Sequence, residues 1–392
     1  MISVLKRLRI DAKEEIWPLK ETFRISRGSR TDAQVVVVTV SDGEHLGRGE
    51  GVPIKRYNQS TASVLAEIES IKSQKNLDRD NLQQLLSPGA ARNALDCALW
   101  DLEAKRSGKR IWELANFQMA HCSRRPAGDA HSSHPPSRSS GPAGSEAATS
   151  GAADVYQVET SFTISLDTPE KMAASATAYV QTKEGRSPRK RRSIAKAADR
   201  PRRLGSRRSL LKLKLGGDDA DLARVEAVRE AAPNAGLLID ANESWSPEHY
   251  RKIVPALKEL GVELIEQPFP ADADEVLASL DHPIPVCADE SCHTTVDLPR
   301  LKNCYEVINA KLDKTGGLTE ALRLCERARE SGFKLLIGCM VGTSLGMAPA
   351  RLLASAAEWV DLDGPLLLAR DREHALAYAN GRIGLPSSRL WG

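Results

Sequence analysis

Residues 210–240 read LLKLKLGGDDADLARVEAVREAAPNAGLLID, and the pattern of this stretch indicates the fold class. Its two ends are apolar runs of strand length, and the residues between them, 221–231, have the apolar spacing of an amphipathic helix. The alternation continues along the chain through the runs ELIEQP, PVCADES, VINAKLD, KLLIGCM and WVDLDG. With a further run at 160–165, these strands are too many for a small sheet. The pattern therefore predicts an α/β fold with a TIM-type (β/α) barrel.

The first 115 residues have a different pattern, which is typical of an α+β domain. A β-branched run at 34–40 ends in Ser-Asp-Gly turn residues, and a strand beginning near Ile2 is expected to pair with it. Helical spacing of apolar residues follows at 60–73 and at 90–106. We therefore expect a small sheet covered by helices.

Two segments lack both patterns. Residues 118–154 hold 16 Gly, Pro or Ser among 37 positions and contain no Leu, Ile, Val or aromatic residue. Burial therefore cannot offset the entropy cost of ordering them. Residues 183–208 hold 12 Lys or Arg against two acids. We predict that both are disordered inserts and that the second is a solvated basic segment, with nuclear targeting or nucleic-acid contact as its alternatives.

The composition excludes several classes of protein. Hydrophobic residues make up 41% and charged residues 27%, and no apolar run approaches the roughly 20 residues of a membrane-spanning helix. The first residues contain no apolar stretch typical of a signal peptide. Seven cysteines, an odd number without a C-x-x-C pair, favour reduced thiols and a cytoplasmic location. The net charge of +3 comes from residues 183–208, so it does not indicate nucleic acid as a partner of the folded body.

Charged residues stand at the ends of four successive apolar runs. They are Asp240, Glu266, Asp289 and Lys311, with separations of 26, 23 and 22 residues, about one βα unit each. We therefore expect them at the same level of successive strands, facing one pocket at the C-terminal end of the barrel, where barrel enzymes hold their chemistry. Three carboxylates in one pocket suit Mg²⁺, which prefers oxygen ligands. The alternative is that each acid only caps a helix.

Two lysines precede these acids on one strand. Lys212 and Lys214 are two residues apart, so both side chains point to the same side of the strand. Buried amines require anionic partners or a lowered pKa, and a lysine base needs a pKa near 7 to 8. A neighbouring ammonium and a divalent metal would lower it. With Lys311 across the barrel, one amine would remove the proton α to a metal-bound carboxylate and the other would return a proton to the opposite face. This chemistry is racemisation or epimerisation.

Several motifs of this sequence resemble those of a known family. The motifs KLKL at 212–215, DANESW at 240–245, EQP at 266–268, ADES at 288–291 and KLDKTGG at 311–317 are similar to those of the muconate-lactonizing subgroup of the enolase superfamily. CADESCHT, KLDKTGGLTEAL, IGCM, DLDGP and AARNALDCALWDLEAK resemble its L-Ala-D/L-Glu epimerase (dipeptide epimerase) branch. The resemblance covers nearly everything outside 118–154 and 183–208.

The family resemblance implies a domain arrangement and a role for each matching residue. It implies a capping domain at 1–117, a modified, enolase-like barrel at 155–365 and a C-terminal segment at 366–392 that returns to the cap. It implies Lys214 and Lys311 as the acid/base lysines, and Asp240, Glu266 and Asp289 as ligands of one Mg²⁺ per subunit. It implies substrate contacts for Lys212, Thr163, Asp361, Asp363, Arg27 and main-chain groups around Cys339 and Val341. For Arg27, which would hold an acidic substrate side chain, Arg24 and Arg30 are alternatives.

The resemblance also implies an activity, the Mg²⁺-dependent epimerisation of L-Ala-D-Glu and L-Ala-L-Glu through an enediolate, in murein-peptide metabolism. The expected partner is a small-molecule dipeptide substrate, and no membrane association is expected. Whether the chain forms a homo-oligomer is left open. Alternatives are a dipeptide epimerase of other specificity, a cycloisomerase or an o-succinylbenzoate synthase. The Asp361-x-Asp363 pair disfavours the last two, because their substrates carry no ammonium. A polyanion-binding protein on a retired enzyme scaffold is the alternative outside enzymes, but the basic segment has no aromatic residue for base stacking.

Overall fold

The structure, a computed structural model, describes residues 8–115, 157–184 and 208–392. The predicted insert 118–154 lies outside these ranges, as do the predicted boundaries at 117 and 155 and the strand expected near Ile2. Of the predicted insert 183–208, only the two ends fall within the described residues. Among the helices that the structure describes, none combines the length and the apolar composition needed to cross a membrane.

The N-terminal domain is a three-stranded antiparallel meander covered by helices. Its strands are β1 (Arg9–Ile25), β2 (Gly28–Ser41) and β3 (Leu46–Gly51), and its helices are α1 (Thr61–Ile71), α2 (Arg79–Leu85), α3 (Ala90–Ser107) and α4 (Ile111–Leu114). Helix α3 packs directly on β3 because glycines alternate along that strand. A Cβ on Gly49 would lie 2.1 Å from the carbonyl oxygen of Ala94. Only glycine therefore allows the two backbones to approach this closely.

The barrel contains eight parallel strands in sequential order. They are β5 (Phe162–Ile164), β6 (Leu210–Lys214), β7 (Gly236–Asp240), β8 (Val262–Glu266), β9 (Val286–Ala288), β10 (Val307–Ala310), β11 (Lys334–Gly338) and β12 (Trp359–Asp361). The first and last strands meet through the N–H of Ser161, which donates to the carbonyl oxygen of Val360 at 2.8 Å. The predicted barrel fold is confirmed.

Helices and short strands surround this barrel. The helices are α5 (Pro169–Glu184), α6 (Asp221–Ala231), α7 (Pro247–Glu259), α8 (Leu298–Leu301), α9 (Leu312–Thr315), α10 (Leu318–Glu330), α11 (Ser344–Ala354) and α12 (Gly364–Leu367). Short 3-10 helices occur at Lys55–Tyr57, Asp274–Ser279 and Thr295–Asp297. A small antiparallel sheet joins β4 (Val158–Glu159) to β13 (Tyr378–Ala379) and β14 (Arg382–Ile383). The chain then returns to the cap, where Nε1 of Trp391 donates to the carbonyl oxygen of Cys97 at 3.0 Å.

The inside of the barrel is layered. Its lower layer is an apolar cluster with one residue from each strand β6 to β12, namely Leu210, Leu238, Leu264, Cys287, Val307, Leu336 and Trp359. Because side chains alternate along a strand, Lys212 and Lys214 share the inner face with Leu210, while Leu211 and Leu213 pack in the outer core. The apolar floor therefore supports a polar layer at the C-terminal end of the strands.

Candidate active site

The strand register brings the predicted acids to neighbouring strand ends. Lys214 pairs with Asp240, and Asp240 pairs with Glu266. Glu266 pairs with Cys287, two residues before Asp289. The expectation that the acids all lie at the same level is therefore wrong for Asp289, which lies two residues beyond the register partner of Glu266. A step of two residues keeps the side chain on the same side of the strand, and barrel strands are staggered along the axis. The acids therefore still face one pocket.

Lys212 lies at the centre of this pocket and is completely buried. Its Nζ is 2.7 Å from Oδ2 of Asp361, 2.7 Å from Oε2 of Glu266 and 3.1 Å from Oδ2 of Asp240. Lys214 lies two residues further along β6, toward its C-terminal end, and donates from Nζ to Oδ2 of Asp240 at 2.5 Å. Both amines expected from the sequence therefore point into the barrel and contact carboxylates.

Lys311 enters the same acidic cluster from β10, on the other side of the barrel. Its Nζ donates to Oδ2 of Asp289 at 2.6 Å and lies 3.6 Å from Oε1 of Glu266. Burial lowers the pKa of Lys311, but Asp289 and Glu266 raise it by more, so that it lies above its ordinary value. The pKa of Lys212 is raised in the same way. At both amines the carboxylates therefore outweigh burial. The lowered lysine pKa expected from the sequence depends on a neighbouring divalent metal and stays a prediction.

The three acids fit an oxygen-liganded cation by their chemistry. Asp240, Glu266 and Asp289 are at most 3% exposed. Among the described residues, no group donates a hydrogen bond of normal geometry to Oε2 of Glu266 or to Oδ1 of Asp289. Both oxygens form ion pairs, Oε2 of Glu266 with Nζ of Lys212 at 2.7 Å and Oδ1 of Asp289 with Nζ of Lys314 at 2.8 Å. In the described ranges, no three side chains of Asp, Glu, Cys or His lie close enough together to form a complete set of metal ligands. The ammonium groups of Lys212, Lys311 and Lys314 contact these acids, as the negative charge of the cluster favours.

A second pair of acids lies at the seam between the first and last barrel strands. Asp363 accepts a hydrogen bond at Oδ2 from the N–H of Thr163, at 2.6 Å. Asp361 accepts at Oδ1 from Ser161, at 2.6 Å, and at Oδ2 from Lys212. Burial, followed by the charge of Asp361, raises the pKa of Asp363 to about 7. Burial also acts to raise the pKa of Asp361, but Lys212 lowers it overall. The predicted Thr163, Asp361 and Asp363 are thus in contact.

The remaining predicted residues lie around this pocket. Cys339 directly follows β11, whose last residue, Gly338, pairs with Asp361. Val341 packs against an apolar cluster that includes Leu19 of the cap. The role expected for their main-chain groups stays a prediction.

Of the three candidate arginines, Arg24, Arg27 and Arg30, Arg27 contacts the acids that follow β7 and β9. Its Nη2 donates to Oε1 of Glu290 at 2.6 Å and its Nη1 to Oε2 of Glu243 at 3.0 Å. Arg24 pairs with Asp167, which follows β5, at 3.1 Å, and Arg30 lies within β2. Arg27 therefore remains the candidate that faces the site.

Comparison with known proteins agrees with this arrangement. Residues 8–115 match the N-terminal domain of mandelate racemase and muconate lactonizing enzyme, and residues 194–389 match the enolase C-terminal domain-like family. The chain belongs to the mandelate racemase/muconate lactonizing enzyme family of the enolase superfamily. The first match corresponds to the cap, and the second covers the barrel from β6 onward.

Two characterised family members are similar over nearly the whole chain. L-Ala-D/L-Glu epimerase of Escherichia coli (strain K12) is 40% identical, covering 95% of this chain and 98% of the relative. N-acetyl-D-glutamate racemase of a Pseudoalteromonas species is 39% identical, covering 91% of this chain and 95% of the relative. The second relative is named for a glutamate whose nitrogen is acetylated.

Solved structures of family members show the same architecture. An enolase family member from Agrobacterium tumefaciens with homology to dipeptide epimerases, with bound sodium and L-Ala-L-Glu, has a TM-score of 0.78 at 42% identity, covering 98% of this chain and 100% of that one. Dipeptide epimerase from Enterococcus faecalis, complexed with Mg and L-Leu-L-Tyr, has a TM-score of 0.76 at 26% identity, covering 98% and 99%.

Several polar residues of the site were missed by the sequence reasoning. Asn309 donates from Nδ2 to Oε1 of Glu266 at 2.8 Å, and Lys314 lies 2.8 Å from Oδ1 of Asp289. Gln267 accepts a hydrogen bond at Oε1 from the N–H of Asp289 at 2.9 Å. The inward position of Asn309 could have been predicted, because it lies two residues before Lys311 and side chains two apart share a strand face. Lys314 belongs to the quoted KLDKTGG motif, but its side-chain direction carried no sequence signal.

Proposed function

We propose that this chain is a Mg²⁺-dependent epimerase of acidic dipeptides that interconverts L-Ala-L-Glu and L-Ala-D-Glu. The observation that carries the proposal is the placement of Lys214 and Lys311. Lys214 ends β6 and Lys311 directly follows β10, four strands away among the eight barrel strands of the described residues. Both lysines contact one acidic cluster. Two amines on opposite sides of one pocket can reach the two faces of a single carbon atom, as inversion requires.

In this proposal, the chain's own residues bind the substrate at three points. Lys212 lies beside the substrate carboxylate, and Asp361 and Asp363 attract the free ammonium of the alanine. Arg27 faces the acidic side chain. Thr163 and the main chain around Cys339 and Val341 contact the peptide between these points. Three separate anchors orient the α-hydrogen toward one lysine and the opposite face toward the other.

The proton transfer then follows from the two amines. The neutral lysine on one face takes the α-proton, so that the C–H bond breaks and an N–H bond forms. The ammonium on the other face gives a proton to the same carbon, so that a C–H bond of opposite configuration forms. Lys214 and Lys311 thus exchange protonation states in each turnover, and the enzyme is ready for the reverse reaction.

Asp240, Glu266 and Asp289 would hold the Mg²⁺, an ion with which one solved relative is complexed. When bound, the cation supplies positive charge that stabilises the anion left after proton removal. Asn309, Gln267 and Lys314 hold these acids in place. Such supporting contacts orient metal ligands and tune them.

A cytoplasmic location is part of the proposal. It is supported by the cysteines in the described residues, since all six of them are unpaired thiols and five are buried. Reduced thiols are usual in proteins of the cytosol.

Three substrates test the proposed function. Purified protein in D₂O with Mg²⁺ is offered L-Ala-L-Glu, L-Ala-D-Glu and N-acetyl-L-glutamate, and the α-position is followed by NMR. We expect deuterium incorporation with inversion in both dipeptides, loss of it with chelator, and slower reaction of N-acetylglutamate, whose nitrogen carries no charge for Asp361 and Asp363. A folded protein that inverts neither dipeptide contradicts the proposal, and preference for N-acetylglutamate reassigns the substrate.

A further inference from the structure

A cluster of four charged side chains joins the cap to the barrel beside the site. Arg56, in the cap, holds Glu243 of the barrel with two parallel hydrogen bonds, from Nε to Oε2 at 2.9 Å and from Nη2 to Oε1 at 3.0 Å. Glu243 also accepts from Arg27 and from the N–H of Ala271 at 2.9 Å. It is therefore firmly placed, with its side chain only 6% exposed.

Arg27 is opposed by two carboxylates in this cluster. Besides Glu243, its guanidinium donates to Oε1 of Glu290 at 2.6 Å and to the carbonyl oxygen of Asn242 at 2.6 Å. The proposed function requires the same guanidinium to bind the side-chain carboxylate of the substrate. A third carboxylate near one arginine is repelled unless a further cation compensates for one of the first two.

Arg56 is in the right place to provide this compensation. A cavity of about 380 Å³ lies between the cap and the ends of β6, β7 and β8, and both arginines line it together with Glu243. Ser26, Gly216 and Ser244 form other parts of its wall. The cavity therefore offers space beside Arg27 whose charge balance depends on Arg56.

We propose that Arg56 determines the preference for acidic substrates by compensating the charge of Glu243, so that the charge of Arg27 can be satisfied by the substrate carboxylate. This inference rests on the proposed function. With Arg56 present, the four side chains of the cluster carry two positive and two negative charges. Without it, Arg27 is the one cationic side chain in the described residues that contacts Glu243. Arg27 would then neutralise Glu243 instead of the substrate.

The test compares two substrates of nearly equal shape, L-Ala-L-Glu and L-Ala-L-Gln. Arg56→Gln should lower the ratio of their kcat/KM values roughly fivefold, since a bidentate but partly exposed ion pair contributes modestly. The double variant with Glu243→Gln should restore the ratio, because the amide keeps an oxygen for Ala271 and no longer competes for Arg27. Arg323→Gln, at an exposed pair with Asp80, is the matched control.

The outcomes separate this inference from the function on which it rests. Equal losses for both substrates in Arg56→Gln, or no recovery in the double variant, overturn the inference while the wild-type activity stands. A wild-type protein that epimerises neither dipeptide contradicts the proposed function and the inference together.

Discussion

Asn309 donates a hydrogen bond from Nδ2 to Oε1 of Glu266 at 2.8 Å, and both side chains are buried inside the barrel. Glu266 also contacts Lys212 and Lys311, so its carboxylate needs a neutral donor to fix its orientation between two cations. Asn309 therefore supports the central acid of the proposed metal site. A Cβ on the neighbouring Gly338 would lie 2.6 Å from Oδ1 of Asn309, so glycine at this position leaves room for the amide.

We predict that Asn309→Ala weakens Mg²⁺ binding by roughly 10- to 100-fold, the usual effect of losing a group that orients a metal ligand. The measurement is the Mg²⁺ concentration that gives half-maximal epimerisation. Asn303→Ala, at an exposed position four residues before the start of β10, serves as control. Unchanged Mg²⁺ dependence in Asn309→Ala would contradict the role assigned to the amide.

The close approach of β3 and α3 predicts a stability effect. Gly49→Ala places a methyl group 2.1 Å from the carbonyl oxygen of Ala94, so the helix has to move away from the sheet. We expect the free energy of unfolding to fall by about 1 to 3 kcal/mol, as for other overpacked cores. In Gly384→Ala, the added methyl group meets its nearest neighbour at 3.7 Å. Chemical denaturation should show a much smaller loss for this control.

A buried acid at the contact of cap and barrel predicts a pH dependence of stability. Burial raises the pKa of Asp96 to about 6, although its oxygen accepts from the N–H of Thr319 at 2.9 Å. An acid whose folded pKa is raised stabilises the protein fully below its unfolded pKa and loses this contribution as pH rises through the folded pKa. We therefore expect wild type to lose roughly 3 kcal/mol relative to Asp96→Asn between about pH 4 and pH 7.

The amide variant is a suitable comparison. Oε1 of Gln83 has no hydrogen-bond partner among the described residues, so Gln83 can turn to accept from the new amide of Asp96→Asn. Denaturation of both proteins at several pH values gives the difference in unfolding free energy. A difference that is constant across this range would show that Asp96 is not titrating there.

Asp363 predicts a pH dependence of catalysis. Burial and the charge of Asp361 raise its pKa to about 7, so that it becomes neutral as pH falls below this value. A neutral Asp363 attracts the substrate ammonium less, so kcat/KM for L-Ala-L-Glu should fall below pH 7. Asp363→Asn should lower kcat/KM on the order of 100-fold, as for other truncated buried charge pairs, and should flatten this decline. A decline of unchanged shape in the variant would assign it to another group.

The sequence predicted those parts of the site that depend on strand periodicity. Asp240 and Glu266 are register partners because one βα unit separates them. Lys212 and Lys214 both point inward because side chains alternate along β6. Periodicity along a single chain segment is enough to predict such placements.

Contacts between distant segments could not be predicted in this way. Arg56 meets Glu243 across 187 residues of sequence, because the cap packs on one side of the barrel mouth. The raised pKa of Lys311 depends on which carboxylates surround it in space. Both features follow from tertiary packing, which spacing along the chain does not contain.

Single-lysine variants test whether Lys214 and Lys311 act on opposite faces of one carbon atom. Lys214→Gln and Lys311→Gln, each shown to be folded, are offered L-Ala-L-Glu and L-Ala-D-Glu separately in D₂O with Mg²⁺. We expect each variant to exchange the α-hydrogen of one epimer without inversion, and the two variants to exchange opposite epimers. Exchange of the same epimer by both variants, or inversion by either, would contradict the account.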